Sequence, residues 1–199
     1  MQSPWPRQRG VSLIIVLIML GVIGLMSAAA MRSATSSEMV ARSFRYQLLA
    51  QQQAEAALRY CEGQLLLPQE QRVASLSNIA VSTDDPPSAW TAPENWTGTG
   101  GGSASLAAVP ADLLGPTSSP PQVSPQCLVE KRPWSPGEAY RVTARGYSTN
   151  YSRDSQGYTS SGVVSWLQVE LLIHPADAAP QGARLVKDRL WSRIVNPPF

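Results

Sequence analysis

Few side chains in this 199-residue chain have the types and spacing that catalysis or metal binding requires. The one histidine, His174, lies at the end of a predicted strand, and a single imidazole forms neither a multi-histidine metal site nor a supported Ser–His–Asp arrangement. Asp84 and Asp85 offer carboxylates for calcium, but paired acids before two prolines are more typical of a solvated turn. The three glycines at 100–102 lack the Lys-Ser/Thr of a phosphate-binding loop. The pattern predicts a protein that is not an enzyme and that uses no cofactor or metal.

The two cysteines, Cys61 and Cys127, could form a covalent link within the chain. An even number of cysteines in a chain whose bulk follows an export signal indicates a disulfide, and two free buried thiols are the alternative. A bridge between them would close a long loop. The chain-entropy model gives such a loop a stabilisation of about 4 kcal/mol.

Composition and charge narrow the class of partner. The formal net charge is +2, and Arg7 and Arg9 account for the excess, because basic and acidic side chains are equal in number beyond residue 10. A nucleic-acid-binding protein would show a basic excess or stripe, so no nucleic acid is expected as a partner.

Seventeen prolines and 14 glycines indicate a loop-rich domain with β-structure rather than a helical bundle.

The uncharged apolar run of residues 11–31 matches the ~20 residues that a membrane-spanning helix needs. Arg7 and Arg9 precede it, so we expect a single-pass inner-membrane protein whose C-terminal domain is periplasmic. Three interpretations are open. The run could be a secretory signal cut after Ala30, a plain anchor for a periplasmic binding module, or a helix that follows a leader cut at Gly10.

The residues around Gly10 resemble a known processing site. Arg7 to Ile14 combines a short basic leader, a glycine at its last position and a wholly apolar start to a helix, and is similar to the prepilin peptidase site of type IV pilins. Residues 30–39 and 54–59 resemble the PilX-type minor pilins of type IV pili. The resemblance is specific over residues 7–62 and diffuse beyond. It implies cleavage by prepilin peptidase after Gly10, which leaves Val11 as the N-methylated first residue.

One position departs from the family pattern. The fifth mature residue is Glu in most pilins, where its carboxylate is thought to meet the N-terminal amine of a neighbouring subunit, and this chain has Ile15 there. A buried ammonium without an acidic partner costs several kcal/mol, so Ile15 argues against a major, polymer-forming subunit. The resemblance therefore implies a minor pilin that joins other minor pilins and pilus assembly proteins in a priming or tip complex. A minor pseudopilin of a type II secretion system would share both features and is the alternative.

The predicted fold is α+β and pilin-like: a long N-terminal helix, half of it transmembrane, packed on a small antiparallel sheet. The expected segments are a leader (1–10), a transmembrane half of the helix (11–31), an amphipathic half (32–67), an irregular loop region (68–126), and a β-sheet with a C-terminal tail (127–199). Helical spacing predicts one buried face, formed by Ala50, Ala54, Ala57, Leu58, Cys61 and Leu65. Gly63 or Pro68 should end the helix.

The strand signal is concentrated at residues 127–173. We expect strands at 127–132, 139–147 and 163–173, the second with Tyr140, Val142 and Ala144 facing inward and Arg141, Thr143 and Arg145 facing outward. A Cys61–Cys127 bridge would then join helix to sheet. The tail 184–199 fits either a fourth strand or a short helix. Trp90 and Trp96 fit either exposed partner anchors or side chains that hold a loop on the domain.

Overall fold

The computed structural model describes residues 11–82, 88–97, 104–114, 122–135, 137–154, 158–174, 184–195 and 197–198. The helices are α1 (Val11–Leu66) and α2 (Ala74–Ser77), with short 3₁₀ turns at Gln69–Gln71, Ala89–Thr91, Pro93–Trp96 and Ala111–Leu114. The strands are β1 (Ala104–Ala108), β2 (Gln126–Arg132), β3 (Glu138–Tyr147), β4 (Ser152–Arg153), β5 (Thr159–Ser161), β6 (Val164–Ile173) and β7 (Val186–Arg193). The chain divides into an N-terminal unit that ends at Phe44 and a C-terminal unit that begins at Arg45.

The C-terminal unit is built on a five-stranded antiparallel sheet. Its strand order is β1-β2-β3-β6-β7, and β4 and β5 form a separate two-stranded ribbon within the connection from β3 to β6. The C-terminal part of α1 packs against one face of this sheet. The predicted α+β fold, one long N-terminal helix with a small antiparallel sheet, is therefore confirmed.

The helix–sheet core contains the helix face that the sequence predicts. Every predicted member of that face is fully buried: Ala50, Ala54, Ala57, Leu58, Cys61 and Leu65. Val129, Val142 and Val169 of three neighbouring strands lie in the same core. Helix α1 ends at Leu66, between the two predicted stop signals, and the Arg72 guanidinium donates to the carbonyls of Leu65 and Leu67, each at 3.1 Å. These bonds satisfy carbonyls that a helix C-terminus leaves without a partner.

Helix and sheet approach each other most closely at Gly146 of β3. A Cβ atom at this position would overlap the backbone nitrogen of Ala54 and the backbone oxygen of Ala50, and would lie 2.6 Å from the carbonyl carbon of Gln53. Small residues on both sides thus let the two backbones come into contact. Glycine is required at position 146 because a side chain there would have to push the backbone of α1 away, and backbone cannot rotate aside as a flexible side chain can.

A disulfide between Cys61 and Cys127 joins α1 to β2, as predicted. The two cysteines are 66 residues apart in sequence and both are fully buried. Cys127 lies beside Ala144 in the β2–β3 register, on the sheet face that the helix covers. The bridge therefore holds the helix against the sheet in the folded protein. It also limits the conformational freedom of the unfolded chain.

Replacing both cysteines with alanine should lower the free energy of unfolding by about 4 kcal/mol, because the unfolded chain then regains the entropy of an open loop. Urea denaturation of the detergent-solubilised chain measures the change. Wild-type protein under reducing conditions is the matched control and should lose a similar amount. A loss below about 1 kcal/mol in both samples would contradict a stabilising role for the bridge.

The second sheet face is more deeply covered than predicted. Arg145 and Thr143 were expected to face outward, and both are buried, with Arg145 only 4% exposed. The prediction was wrong because the segment 88–97 packs over this face and brings Trp96 into contact with Leu128 and Trp166. Trp96, 1% exposed, holds its loop on the domain rather than serving as an exposed anchor.

Regular structure also extends beyond the predicted ranges. Strand β1 lies inside the segment 68–126 that was expected to be irregular, and it pairs with β2 from Ala104↔Glu130 to Ala108↔Gln126. Short helical turns also lie in this segment, near residues 69–77 and 111–114. In the tail, the strand alternative is the one observed, as β7 pairs with β6 at the end of the sheet.

Candidate functional site: the apolar helix, and surfaces of the C-terminal unit

The N-terminal part of α1 presents an apolar surface on all sides. Residues 12–31 are exposed throughout, including Leu17, Leu20 and Leu25 at 60%, 60% and 74%. The segment is long and apolar enough to cross a membrane by length and composition, a property that signal sequences near an N-terminus share. A helix that is apolar all round requires a nonpolar surrounding, either lipid or other helices.

Some hydroxyl groups of this helix donate to backbone carbonyls of the helix itself. Ser27 Oγ donates to the carbonyl of Ile23 at 2.8 Å, and Thr35 Oγ1 donates to the carbonyl of Met31 at 2.7 Å. Such back-bonding removes the cost of placing an unpartnered hydroxyl in a medium without water. Farther along, Glu38 and Arg42 form an i,i+4 pair at 3.8 Å. Charge on α1 therefore begins only beyond the apolar segment.

The predicted processing residues fall at the start of this helix. Gly10 lies outside the described residues, and Val11 is the first residue of α1. Ile15 is 48% exposed on the helix surface. Gly21 and Gly24 have open space where a Cβ would lie, so the packing described here does not require either glycine. Both positions leave room for a second helix to approach closely.

A buried carboxylate lies where the helix meets the last strand. The Glu62 side chain is 7% exposed, and its Oε2 pairs with Arg189 Nη2 of β7 at 3.0 Å. Its Oε1 has no hydrogen-bond partner within the described part of the chain. Burial raises the pKa of the Glu62 carboxyl, and the charges of Arg189 and Arg59 offset this only in part. The ionised form of Glu62 is thus less favourable in the folded protein than in the unfolded chain.

The Glu62→Gln variant should gain stability relative to wild type as the pH rises. A carboxyl whose folded pKa is raised favours folding fully below its ordinary value of 4.5, and this contribution is lost as the pH rises through the folded pKa. The free energy of unfolding changes by about 1.4 kcal/mol per pH unit for each proton by which the folded and unfolded states differ. Urea denaturation of both proteins between pH 4 and pH 8 measures the difference. Glu55→Gln, on the same helix, is the matched control. A wild-type advantage that grows with pH would contradict the assignment.

The second sheet face holds a buried cation among aromatic rings. The Arg145 guanidinium lies 4.5 Å from the ring centroid of Trp96 and 5.6 Å from that of Trp166. Its Nη2 donates to Gln126 Oε1 at 2.8 Å and to the Trp96 carbonyl at 3.2 Å. Burial lowers the pKa of Arg145 and raises that of the adjoining Tyr147. The aromatic rings and the uncharged oxygen acceptors partly replace the water that the Arg145 guanidinium loses on burial. We therefore interpret this cluster as part of the packing of the domain.

Strand β7 forms one end of the sheet and carries exposed apolar side chains. Trp191 lies beside Val169 in the register and is 43% exposed, whereas Leu190 lies on the opposite face and is 67% exposed. Lys187, Asp188 and Arg193 are charged and exposed along the same strand. Charged residues on an edge strand oppose uncontrolled strand addition.

Sequence reasoning missed several of these features. The mixed spacing of the tail gave no sign of the Glu62–Arg189 pair, because its two members are far apart in the sequence. His174 follows the last residue of β6, as expected, and its backbone nitrogen donates to the Leu185 carbonyl at 3.1 Å. Asp84 and Asp85, considered for calcium, lie outside the described residues.

Comparison of the chain with protein-family models, with curated proteins and with solved structures yields no match.

Proposed function

We propose that this chain is a minor pilin of a bacterial type IV pilus, acting without catalysis in the priming or tip complex. The observation that carries the proposal is the single helix α1, which runs from Val11 to Leu66. Its first part is apolar and exposed, and its last part forms the core of a sheet domain. A plain membrane anchor needs no intact helix through this region, whereas a subunit that assembles through its helix does.

The sequence at the start of the helix supports the same function. Prepilin peptidase would cut after Gly10, and the apolar segment would lie in lipid before assembly and among neighbouring helices afterwards. A segment without charge avoids the cost of placing a carboxylate in the membrane. The open surface at Gly21 and Gly24 would let a neighbouring helix come close.

Ile15 supports a role at an end of the fibre rather than along its length. An aliphatic side chain cannot neutralise the N-terminal ammonium of a neighbouring subunit, and an unpaired buried charge costs several kcal/mol. A subunit of this kind would be tolerated once per complex, where its position needs no carboxylate, but not at every step of a polymer.

Deletion of the gene tests the function. Surface pili, counted by electron microscopy and in sheared fractions, should be lost, and the wild-type gene should restore them. Secretion of folded exoproteins should be unchanged. A secretion defect with normal pili would replace the proposal with a pseudopilin of a type II secretion system. Normal pili together with normal secretion would favour an anchored binding module.

A further inference from the structure

A polar cavity of ≈ 200 Å³ lies in the C-terminal unit, beyond the end of α1 and beside the hairpin of β2 and β3. Its walls include three cationic side chains, one acid and two neutral polar groups: Arg72, Lys131, Arg184, Glu138, Gln69 and Tyr140. Basic and acidic side chains are balanced over the chain beyond residue 10. Among the described residues of the cavity wall, by contrast, positive charge is in excess.

The acid on the wall offsets only part of this charge. Lys131 Nζ donates to Glu138 Oε1 at 2.7 Å, and Arg184 Nη2 contacts the other carboxylate oxygen of Glu138. Arg72 directs its Nε and Nη2 to helix carbonyls, which are neutral. Among the described residues that line the cavity, three positive charges thus face one carboxylate.

Within the described residues, part of the Arg184 guanidinium has no acceptor. Its side chain is 14% exposed, and its Nε is buried with no hydrogen-bond partner within the described residues. Burial, and then the nearby charge of Arg72, lower the pKa of Arg184. A buried charged donor without an acceptor destabilises the folded protein. An anion that reached this nitrogen would remove that destabilisation.

We propose that this cavity binds a carboxylate group, with Arg184 as its principal donor and Arg72 and Lys131 as the supporting charges. A planar guanidinium matches a carboxylate in shape and hydrogen-bond spacing. The cavity has room for the group and a few waters, each of which takes about 30 Å³. The described side chains of the wall carry a net charge of +2, which attracts an anion. All nine residues that line the cavity lie in the C-terminal unit, so the site does not depend on the proposed pilin function.

NMR titration of the detergent-solubilised full chain tests the site. The signal of the Arg184 Nε–H group, assigned by its disappearance in Arg184→Gln, should shift downfield and saturate as the carboxylate binds. Acetate, the blocked peptide acetyl-Gly-Glu-Gly-amide and inorganic phosphate are titrated separately at constant ionic strength. Saturation by acetate alone indicates a free small acid as the source of the carboxylate. Tighter binding of the peptide indicates an acidic side chain of a partner protein.

Matched lysine variants show whether the cavity charges are responsible. Lys131→Gln removes one cavity cation and should weaken carboxylate binding about tenfold, the loss of one charge-assisted hydrogen bond. Lys187→Gln makes the same charge change on the exposed part of β7 and should leave affinity unchanged. A shift that never saturates, equal affinities in the two variants, or tighter binding of phosphate than of both carboxylates would each overturn the proposal.

Discussion

Gly146→Ala is expected to lower the free energy of unfolding by about 3 kcal/mol, the upper range for overpacking a close-packed core. The added methyl group would overlap the backbone of α1 at Ala50 and Ala54. Backbone atoms cannot rotate away as a side chain can, so helix and sheet would have to separate. That movement would loosen the contacts of Leu58, Val142 and Val169 in the same core. Urea denaturation of the detergent-solubilised chain measures the change.

Gly63→Ala is the matched control for this result. Gly63 lies in the last turns of α1, is exposed, and has open space where the new methyl group would lie. Alanine there should raise stability by about 0.5–1 kcal/mol through helix propensity. A Gly146→Ala protein as stable as wild type would show that the helix does not rest on the sheet at this point.

Gly10→Asp is expected to leave an uncut precursor in the membrane. Glycine lets a backbone approach an enzyme closely, and aspartate would add a charged side chain at the bond to be cut. Gel mobility and intact mass should show that residues 1–10 remain attached, and pili should be absent if the uncut chain cannot assemble.

Gly24→Ala controls for the loss of a glycine in the same region. It lies in α1, where a Cβ would meet open space, so processing should be normal. A Gly10→Asp protein that runs at mature size and supports pili would contradict both the processing site and the proposed function.

Two parts of this fold could be predicted from the sequence because each depends on a local pattern of apolar residues. The alanine-rich face of α1 repeats at helical spacing, and the β6 residues Leu167, Val169 and Leu171 alternate as a half-buried strand requires. Cys61 belongs to the helix face, and Cys127 shares the covered face of β2 with Val129, so the predicted disulfide is formed between facing apolar surfaces.

Features that depend on distant segments were not predictable. Arg145 alternates with inward-facing residues, and this alternation predicts an exposed side chain. A loop some fifty residues earlier in the chain, however, places Trp96 over it. Period-2 alternation separates the two faces of a strand but does not tell whether a loop covers the second face. The ion pair of Arg184 with Glu138 could not be predicted for the same reason. Its two members are far apart in the sequence, and no local pattern indicates that they meet.

The most direct test of the account is the N-terminal mass of the protein isolated from the cell envelope. We predict a mature chain that begins at Val11 and carries an N-methyl group, because cleavage after Gly10 is the step from which membrane insertion and assembly through α1 follow. A chain that begins at Met31 would identify a secretory signal, and one that begins at Met1 would identify an uncut anchor. Either result would contradict the proposal that this protein is a pilin.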